Sequence, residues 1–231
     1  MIFPEPLIAG TLVRRFRRSL ADVRLTNGKV VTVFSPGLGP MTGCSEPGRP
    51  VLLSDSRDAN RKNRLTWELI NMHETWVSVN PAHARRVVQE SLEQHSIPTL
   101  TDYELQTEAF PGFGRKTDFI LQGMERNCFV TVFSVSWAEH DVAMFPDAPS
   151  PRFRERIDEL ADISRRLHHA VALFIVLRPD CSRFRLVHFL DQNFADACEA
   201  ATQAGVELLV YRATVTPGEV ALGSPIPFAQ D

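Results

Sequence analysis

Hydrolytic chemistry on a phosphodiester needs carboxylates gathered on one face of a sheet, and the segment Thr117-Asp118-Phe119-Ile120-Leu121 sets one acid, Asp118, among apolar residues. A hard divalent ion such as Mg²⁺ or Mn²⁺ takes several oxygen ligands, usually from carboxylates, to polarise the phosphate and activate water. A lysine beside it stabilises the developing charge. Strand residues two apart share a face, so the adjoining strand would supply that acid and that lysine at alternate positions. The adjoining strand reads Cys128-Phe129-Val130-Thr131-Val132-Phe133-Ser134-Val135-Ser136, and the two positions hold Thr131 and Phe133. Thr131 is a poor ligand for such an ion, and Phe133 is a hydrophobic plug. Asp118 then needs a compensating cation. Lys116, two residues away on the same strand face, is the nearest of only three lysines in the chain (Lys29, Lys62, Lys116).

A second chemistry, the holding of a polyanion, is legible near the N-terminus. Arg14-Arg15-Phe16-Arg17-Arg18 is the densest basic cluster. Read as a single strand, it puts Arg15 and Arg17 on one face and Arg14, Phe16 and Arg18 on the other. Arginines that follow phosphates beside an aromatic ring open to stacking are how small barrels grip nucleic acid. Arginines also protect a solvated strand edge. Arg57, Arg61, Lys62 and Arg64 gather in one polar loop, and residues 1–80 carry 11 Lys/Arg against 7 Asp/Glu, whereas the remainder carries 14 against 21. Opposite charge balances in the two halves point to two units with different partners, the first suited to a polyanion. Trp67 and Trp76 could stack bases, although tryptophans in a small barrel are more often core. Glu139-His140-Asp141 reads as solvated loop. The four cysteines (Cys44, Cys128, Cys181, Cys198) are too widely spread for a zinc ribbon or a redox pair and read as buried thiols.

The elements that must position these residues follow from patterning. With 231 residues, 44% hydrophobic and 23% charged, the chain can bury a sizeable core in one or two domains. No apolar run approaches the roughly 20 residues of a membrane helix, and no signal peptide is apparent; a cytoplasmic protein with no membrane association is expected. Residues 7–25 are extended in character. Asn27-Gly28 marks a hairpin before Val30–Phe34, and further strands are expected at Pro50–Ser54, Thr66–Met72 and Thr75–Val79. About five strands without a helix fit a small barrel, placing a first unit over residues 1–80. In residues 81–231 a helix capped by Asn80 with Pro81 runs to about His95, and another starts at Ser150-Pro151. A third spans Asp191 to Ala204 and stops at Gly205. Ala170–Leu177 is a continuous apolar strand covered on both faces. Hairpin, helix, strand, helix, strand is a mixed α/β order.

Taken together, these stretches resemble the sugar fermentation stimulation protein (SfsA) family. The likeness runs through Ser19-Leu20-Ala21-Asp22-Val23, Pro36 to Met41-Thr42-Gly43-Cys44, Thr66-Trp67-Glu68-Leu69, Val79-Asn80, Asp118-Phe119, Phe145-Pro146-Asp147-Ala148, Arg183-Phe184, and Gly205-Val206-Glu207 with Tyr211. The resemblance implies an N-terminal OB-like β-barrel followed by a PD-(D/E)xK nuclease-like domain of mixed α/β (α+β) type, with DNA as partner and a part in regulating sugar-utilisation genes. Glu108 matches the family's upstream glutamate, which with Asp118 implies a weak Mg²⁺ or Mn²⁺ site at best. Where family members carry Glu-Val-Lys, this chain has Thr131-Val132-Phe133. The family's Thr-x-Arg-Gly-x-Lys-His appears as Ser150-Pro151-Arg152-Phe153-Arg154-Glu155-Arg156, keeping the arginine, and its Pro-Asn-Thr-Gly loop as Pro36-Gly37-Leu38-Gly39.

Three functions are thus compatible with the sequence. The first is a DNA-binding protein of little sequence specificity whose nuclease-like domain is inactive and needs no cofactor, with contacts from Arg14, Arg15, Phe16, Arg17, Arg18, Arg61, Lys62 and Arg152. The second is a metal-dependent DNA nuclease with a rearranged site of Glu108, Asp118 and Lys116. The third is a protein-interaction module.

Overall fold

A computed structural model describes residues 1–37, 39–58, 60–106 and 117–229. Six strands open the chain: β1 Ile8–Phe16, β2 Leu20–Leu25, β3 Val30–Phe34, β4 Pro50–Asp55, β5 Leu65–Met72 and β6 Thr75–Ser78. They pair in the order β3-β2-β1-β4-β5-β6, and a parallel bridge between Phe34 and Thr66 joins β3 to β5. That bridge closes β1 to β5 into a five-stranded OB-like ring, with β6 extending from β5. The ring closes around alternate inward residues, among them Leu12, Val23, Val33, Val51, Leu53 and Ile70. Trp67 lies fully inside and donates its indole N–H to the Leu69 carbonyl at 3.0 Å, so it serves the core and not a ligand. Asn27-Gly28 makes the expected hairpin, Gly28 taking φ +82° and Lys29 donating its N–H to the Asn27 side chain.

The one extended element expected over residues 7–25 is two strands. Arg17 and Arg18 both take positive φ, 50° and 59°, and turn the chain so that Phe16 pairs with Leu20. Folding back lets Leu12, Ala21 and Val23 line one core, which a single long strand of that length could not achieve in so small a barrel. The ladder also shifts register between Leu12 and Arg14. The alternation that assigned Arg15 and Arg17 to one face is therefore broken.

After the barrel come α1 Ala82–Glu93, β7 Glu104–Leu105, β8 Phe119–Gln122, β9 Cys128–Val135, β10 Ala138–Glu139, β11 Val142–Phe145, α2 Pro151–Arg165, β12 His169–Val176, β13 Arg183–Leu186, α3 Gln192–Gln203, β14 Glu207–Val215 and β15 Val220–Pro225. The main sheet runs β15-β14-β12-β9-β8-β7, and a small sheet β10-β11-β13 stands apart. β12 is parallel to both β9 and β14 and, apart from His169, is buried throughout, as its apolar run requires. One sheet face packs on Ala84, Val87, Val88 and Leu92 of α1; the other packs on α2 and α3 through Ile157, Leu160, Phe194 and Cys198. Val130 and Val132 face α1, while Phe129 and Phe133 face α2 and α3.

Helix starts follow the sequence with one exchange of roles. The Asn80 side chain accepts the Ala82 N–H at the head of α1, 3.1 Å. Ser150 precedes α2 without capping it; its backbone N–H instead reaches Asp191 at 2.9 Å, and the same carboxylate accepts the Phe194 N–H to cap α3. Among the described residues, no helix is long and apolar enough to cross a membrane.

Candidate functional site

The strand pair that carries Asp118 assembles as its pattern requires. Asp118 donates its backbone N–H to Val130 O at 2.9 Å, continuing the β8–β9 ladder, and its Oδ2 accepts the Val132 N–H at 2.7 Å. The compensating cation is Arg156, on α2. Its Nη2 pairs with Asp118 Oδ2, its Nη1 donates to the Val132 carbonyl at 3.2 Å, and its guanidinium lies 4.9 Å over the ring of Phe133. Arg85 of α1 adds a second positive charge, with Nε 3.8 Å from Asp118 Oδ1 and Nη2 donating to the Asp118 carbonyl at 3.2 Å. Glu108 and Lys116, the other members of the proposed metal and catalytic set, lie outside the described residues.

Phe133 is a plug in the full sense. It is 2% exposed, stacks on Phe174 at 4.9 Å, and meets Phe145, Phe153 and Phe194 edge-on. Thr131 is fully buried, and its hydroxyl has no hydrogen-bond partner among the described residues. A divalent ion would have to take Asp118 Oδ2 from Arg156 and Val132 and find further oxygens where a phenylalanine cluster and an unpartnered threonine stand. With Arg156 seated on Asp118, the described residues do not fit that group. Among the described residues, no three His, Cys, Asp or Glu gather as a metal set.

The barrel meets the second domain along the Pro36–Met41 loop. Arg15 pins that loop: its Nη2 donates to the carbonyls of Arg18, Gly37 and Gly39 at 2.5, 2.6 and 2.9 Å. Burial lowers its pKa. Arg15 therefore clamps this loop, with its Nη2 engaged by three carbonyls. Asp147 approaches from the other side, accepting the Met41 N–H at 3.3 Å, and burial pushes its carboxyl up. A Cβ on Gly39 would sit 2.7 Å from an Asp147 oxygen, so any larger residue there would have to displace the Asp147 carboxylate. Glu68, Asn80, His83, Ser54 and Ser78 join the barrel to α1. Glu68 accepts from Ser54 and Asn80, each at 2.6 Å, and pairs with His83 Nε2 at 3.1 Å, while Ser78 Oγ meets His83 Nδ1 at 2.8 Å. Burial alone would raise the Glu68 carboxyl, but His83, Ser54 and Asn80 together hold it below its ordinary value.

Two connected cavities run along this seam. One, of about 500 Å³, lies between Met41, Ser78, Arg85, Asp118, Phe133 and Trp137. The other, of about 1050 Å³, opens between Arg15 and Arg18 of the barrel and Asp118, Arg152 and Arg156 of the second domain. Arg156 and Asp118 line both.

The remaining candidate residues fall into two groups. Arg14 pairs with Asp22 at 2.8 Å and lies 5.0 Å over the ring of Phe16, so one face of that ring is occupied rather than open to a base. Arg57 and Arg64 are taken by Glu5 and Asp55. Arg17, Arg18, Arg61, Lys62 and Arg152 are exposed and form no ion pair among the described residues. Arg17 and Arg18 sit in the β1–β2 loop, and Arg61 and Lys62 in the β4–β5 loop. Asp141 accepts from Ser182 and pairs with Arg183 at 2.8 Å, so the Glu139–Asp141 cluster is committed surface. The cysteines are free and buried, and burial pushes Cys44 up to about 11 and Cys181 and Cys198 up to about 12. The sequence alone assigns no site role to Arg156, Arg85 or Asp147. Arg152 and Arg156 lie one turn apart on α2, at i and i+4, and that spacing was the available signal for Arg156.

Comparison with known proteins agrees with this architecture. The SfsA N-terminal OB domain model matches residues 13–79, and the sugar fermentation stimulation protein RE domain model matches residues 82–219. A sugar fermentation stimulation protein homolog of Citrifermentans bemidjiense is 40% identical over 228 residues, 98% of this chain and 99% of that one. The homolog of Geobacter sulfurreducens is 39% identical over 228 residues, covering 98% of each chain. That of Trichodesmium erythraeum is 37% identical over 217 residues, covering 91% and 87%. The solved structure of Pyrococcus furiosus SfsA in complex with Ca²⁺ superposes with a TM-score of 0.89 at 22% identity, over 100% of this chain and 98% of that one. With an OB barrel joined to a mixed α/β domain and relatives matched over 98% of its length, the chain belongs to the sugar fermentation stimulation protein family.

Proposed function

We propose that this chain is a DNA-binding protein of little sequence specificity, in which the nuclease-like domain serves as scaffold and one wall of the binding cleft. The observation that carries this reading is the placement of exposed cations from both domains on one cleft: Arg18 from the barrel turn and Arg152 from α2 border the same 1050 Å³ cavity. OB barrels engage oligonucleotides with the β2–β3 face and with the loops that join strands 1 to 2 and 4 to 5. Here those loops carry Arg17 and Arg18, and Arg61 and Lys62, respectively. Because β1 and β4 are antiparallel, the two loops lie toward opposite ends of β1 and bracket the barrel for an extended polyanion. The neighbouring groups are not uniformly basic. Asp118, Asp147 and Glu155 also line the cleft, which favours a strand held by a few phosphates over a tightly wrapped duplex.

Fluorescence anisotropy with mixed-sequence single-stranded and duplex oligonucleotides, in EDTA and over a salt series, tests the proposal. Binding that weakens linearly in log salt, with little difference between sequences, is expected. No binding at low salt to either form would overturn it.

A further inference from the structure

We propose that the guanidinium of Arg156 is the resident cation of the nuclease-like site, standing at Asp118 where this fold would use a divalent metal and excluding that metal. The inference concerns this site alone and holds whether or not the cleft binds DNA.

Three of the contacts that hold the guanidinium lie among the described residues. Nη2 pairs with Asp118 Oδ2, Nη1 donates to Val132 O at 3.2 Å, and the plane lies 4.9 Å over Phe133. Each comes from a different part of the frame: the aspartate strand, the adjoining strand backbone, and the side chain that takes the lysine position. Phe133 thus does more than fill space. Its ring face receives the cation, and its packing against Phe145, Phe153 and Phe174 holds that face in place. A guanidinium is planar, always charged and weakly hydrated, so it tolerates this half-buried position better than an ammonium or a hydrated metal ion. Arg156 is 22% exposed and Asp118 23%, a setting in which an ion pair is only partly screened.

The same geometry removes Asp118 as a metal ligand. Oδ2 already accepts from Val132 N–H and Arg156, and Oδ1 faces Arg85 Nε at 3.8 Å. A divalent ion would meet the positive charges of Arg156 and Arg85 at the distance where it must bind. Thr131, across from Asp118 on β9, offers one buried hydroxyl and no carboxylate.

The test needs no nucleic acid. MnCl₂ and CaCl₂ are titrated by calorimetry, with thermal midpoints measured in parallel, into the wild-type chain, Arg156→Gln, Asp118→Asn and the Arg156→Gln/Asp118→Asn double variant. Expected are a wild-type midpoint unmoved by millimolar Mn²⁺ and an Arg156→Gln midpoint that is lower in EDTA. Mn²⁺ should raise the latter, and the double variant should lose that response. Wild type and Arg156→Gln responding alike, whether both rise or neither does, would overturn the proposal. So would saturable Mn²⁺ binding by the wild type that Asp118→Asn abolishes. If Arg156→Gln does not fold, the comparison of wild type with Asp118→Asn still decides it: equal absence of saturable heat supports the resident cation, and heat lost with Asp118 refutes it.

Discussion

Phe133→Ala is the substitution that separates a converted core from a dormant pocket. Truncating a buried phenylalanine costs about 3–5 kcal/mol through lost transfer energy and the cavity left behind. Phe133 is 2% exposed and touches four other phenylalanine rings. The stacked contact with Phe174 at 4.9 Å is the closest, and aromatic pairs add about 0.5–1.5 kcal/mol each beyond area burial. The Arg156 guanidinium over the same ring adds about 0.5–1 kcal/mol. These contributions overlap and do not sum, but they place the expected loss at the upper end, about 4–5 kcal/mol. Urea unfolding followed by tryptophan fluorescence, with an unchanged m-value, reads that loss directly. The double change Thr131→Glu/Phe133→Lys should do worse: it sets two ionised groups among buried phenylalanines, and the domain should not fold. A Phe133→Ala cost below about 1 kcal/mol would show instead that the ring fills a dormant pocket that stays formed without it.

Three further outcomes follow from the same contacts. Thr131→Val removes a buried hydroxyl without a partner while keeping its shape, so it should leave the unfolding free energy unchanged or raise it by about 1 kcal/mol in the same urea assay; a loss of similar size would mean the hydroxyl is bonded. Arg15→Ala should lower the thermal midpoint by freeing the carbonyls of Arg18, Gly37 and Gly39, a cost of about 2–3 kcal/mol, yet leave the salt slope of DNA binding almost unchanged. A large loss of slope would identify Arg15 as a phosphate contact. Glu68 has a folded pKa below its ordinary 4.5, so its stabilising contribution is complete above that value and fades as pH falls through the lower folded value. Midpoints recorded from pH 7 down to pH 3 should therefore fall less steeply for Glu68→Gln than for the wild type; parallel curves would contradict the assignment.

The fold was legible where periodicity and punctuation agree. Asn27-Gly28, Asn80-Pro81 and Gly205 each marked an element end correctly, because each acts through local backbone chemistry. The apolar run around Phe174 announced a strand covered on both faces for the same reason. Residues 7–25 misled because the turn at Arg17 and Arg18 uses two arginines at positive φ, where glycine or asparagine would have announced it. In the site, the pleat placed Thr131 and Phe133 correctly, since alternation is a property of the strand itself. The partner of Asp118 could not be read the same way. Arg156 lies 38 residues downstream on another element, and its approach is set by how α2 packs on the sheet. Arg15 shows the complementary limit: its charge was visible, but the carbonyls that consume its donors belong to a loop whose path depends on Asp147 and Gly39.

In the proposed DNA-binding function, Arg18 and Arg152 meet the same bound DNA across the cleft between the two domains. The most direct measurement is the slope of log binding constant against log salt, in EDTA, for the wild-type chain and for Arg18→Ala/Arg152→Ala. Each lost phosphate contact reduces the slope by about 0.9 on duplex or 0.7 on single-stranded DNA. The double variant should therefore lose about 1.4–1.8 from the slope and bind more weakly at every salt concentration, with its thermal midpoint unchanged. A slope and affinity equal to those of the wild type would mean that neither arginine meets the DNA.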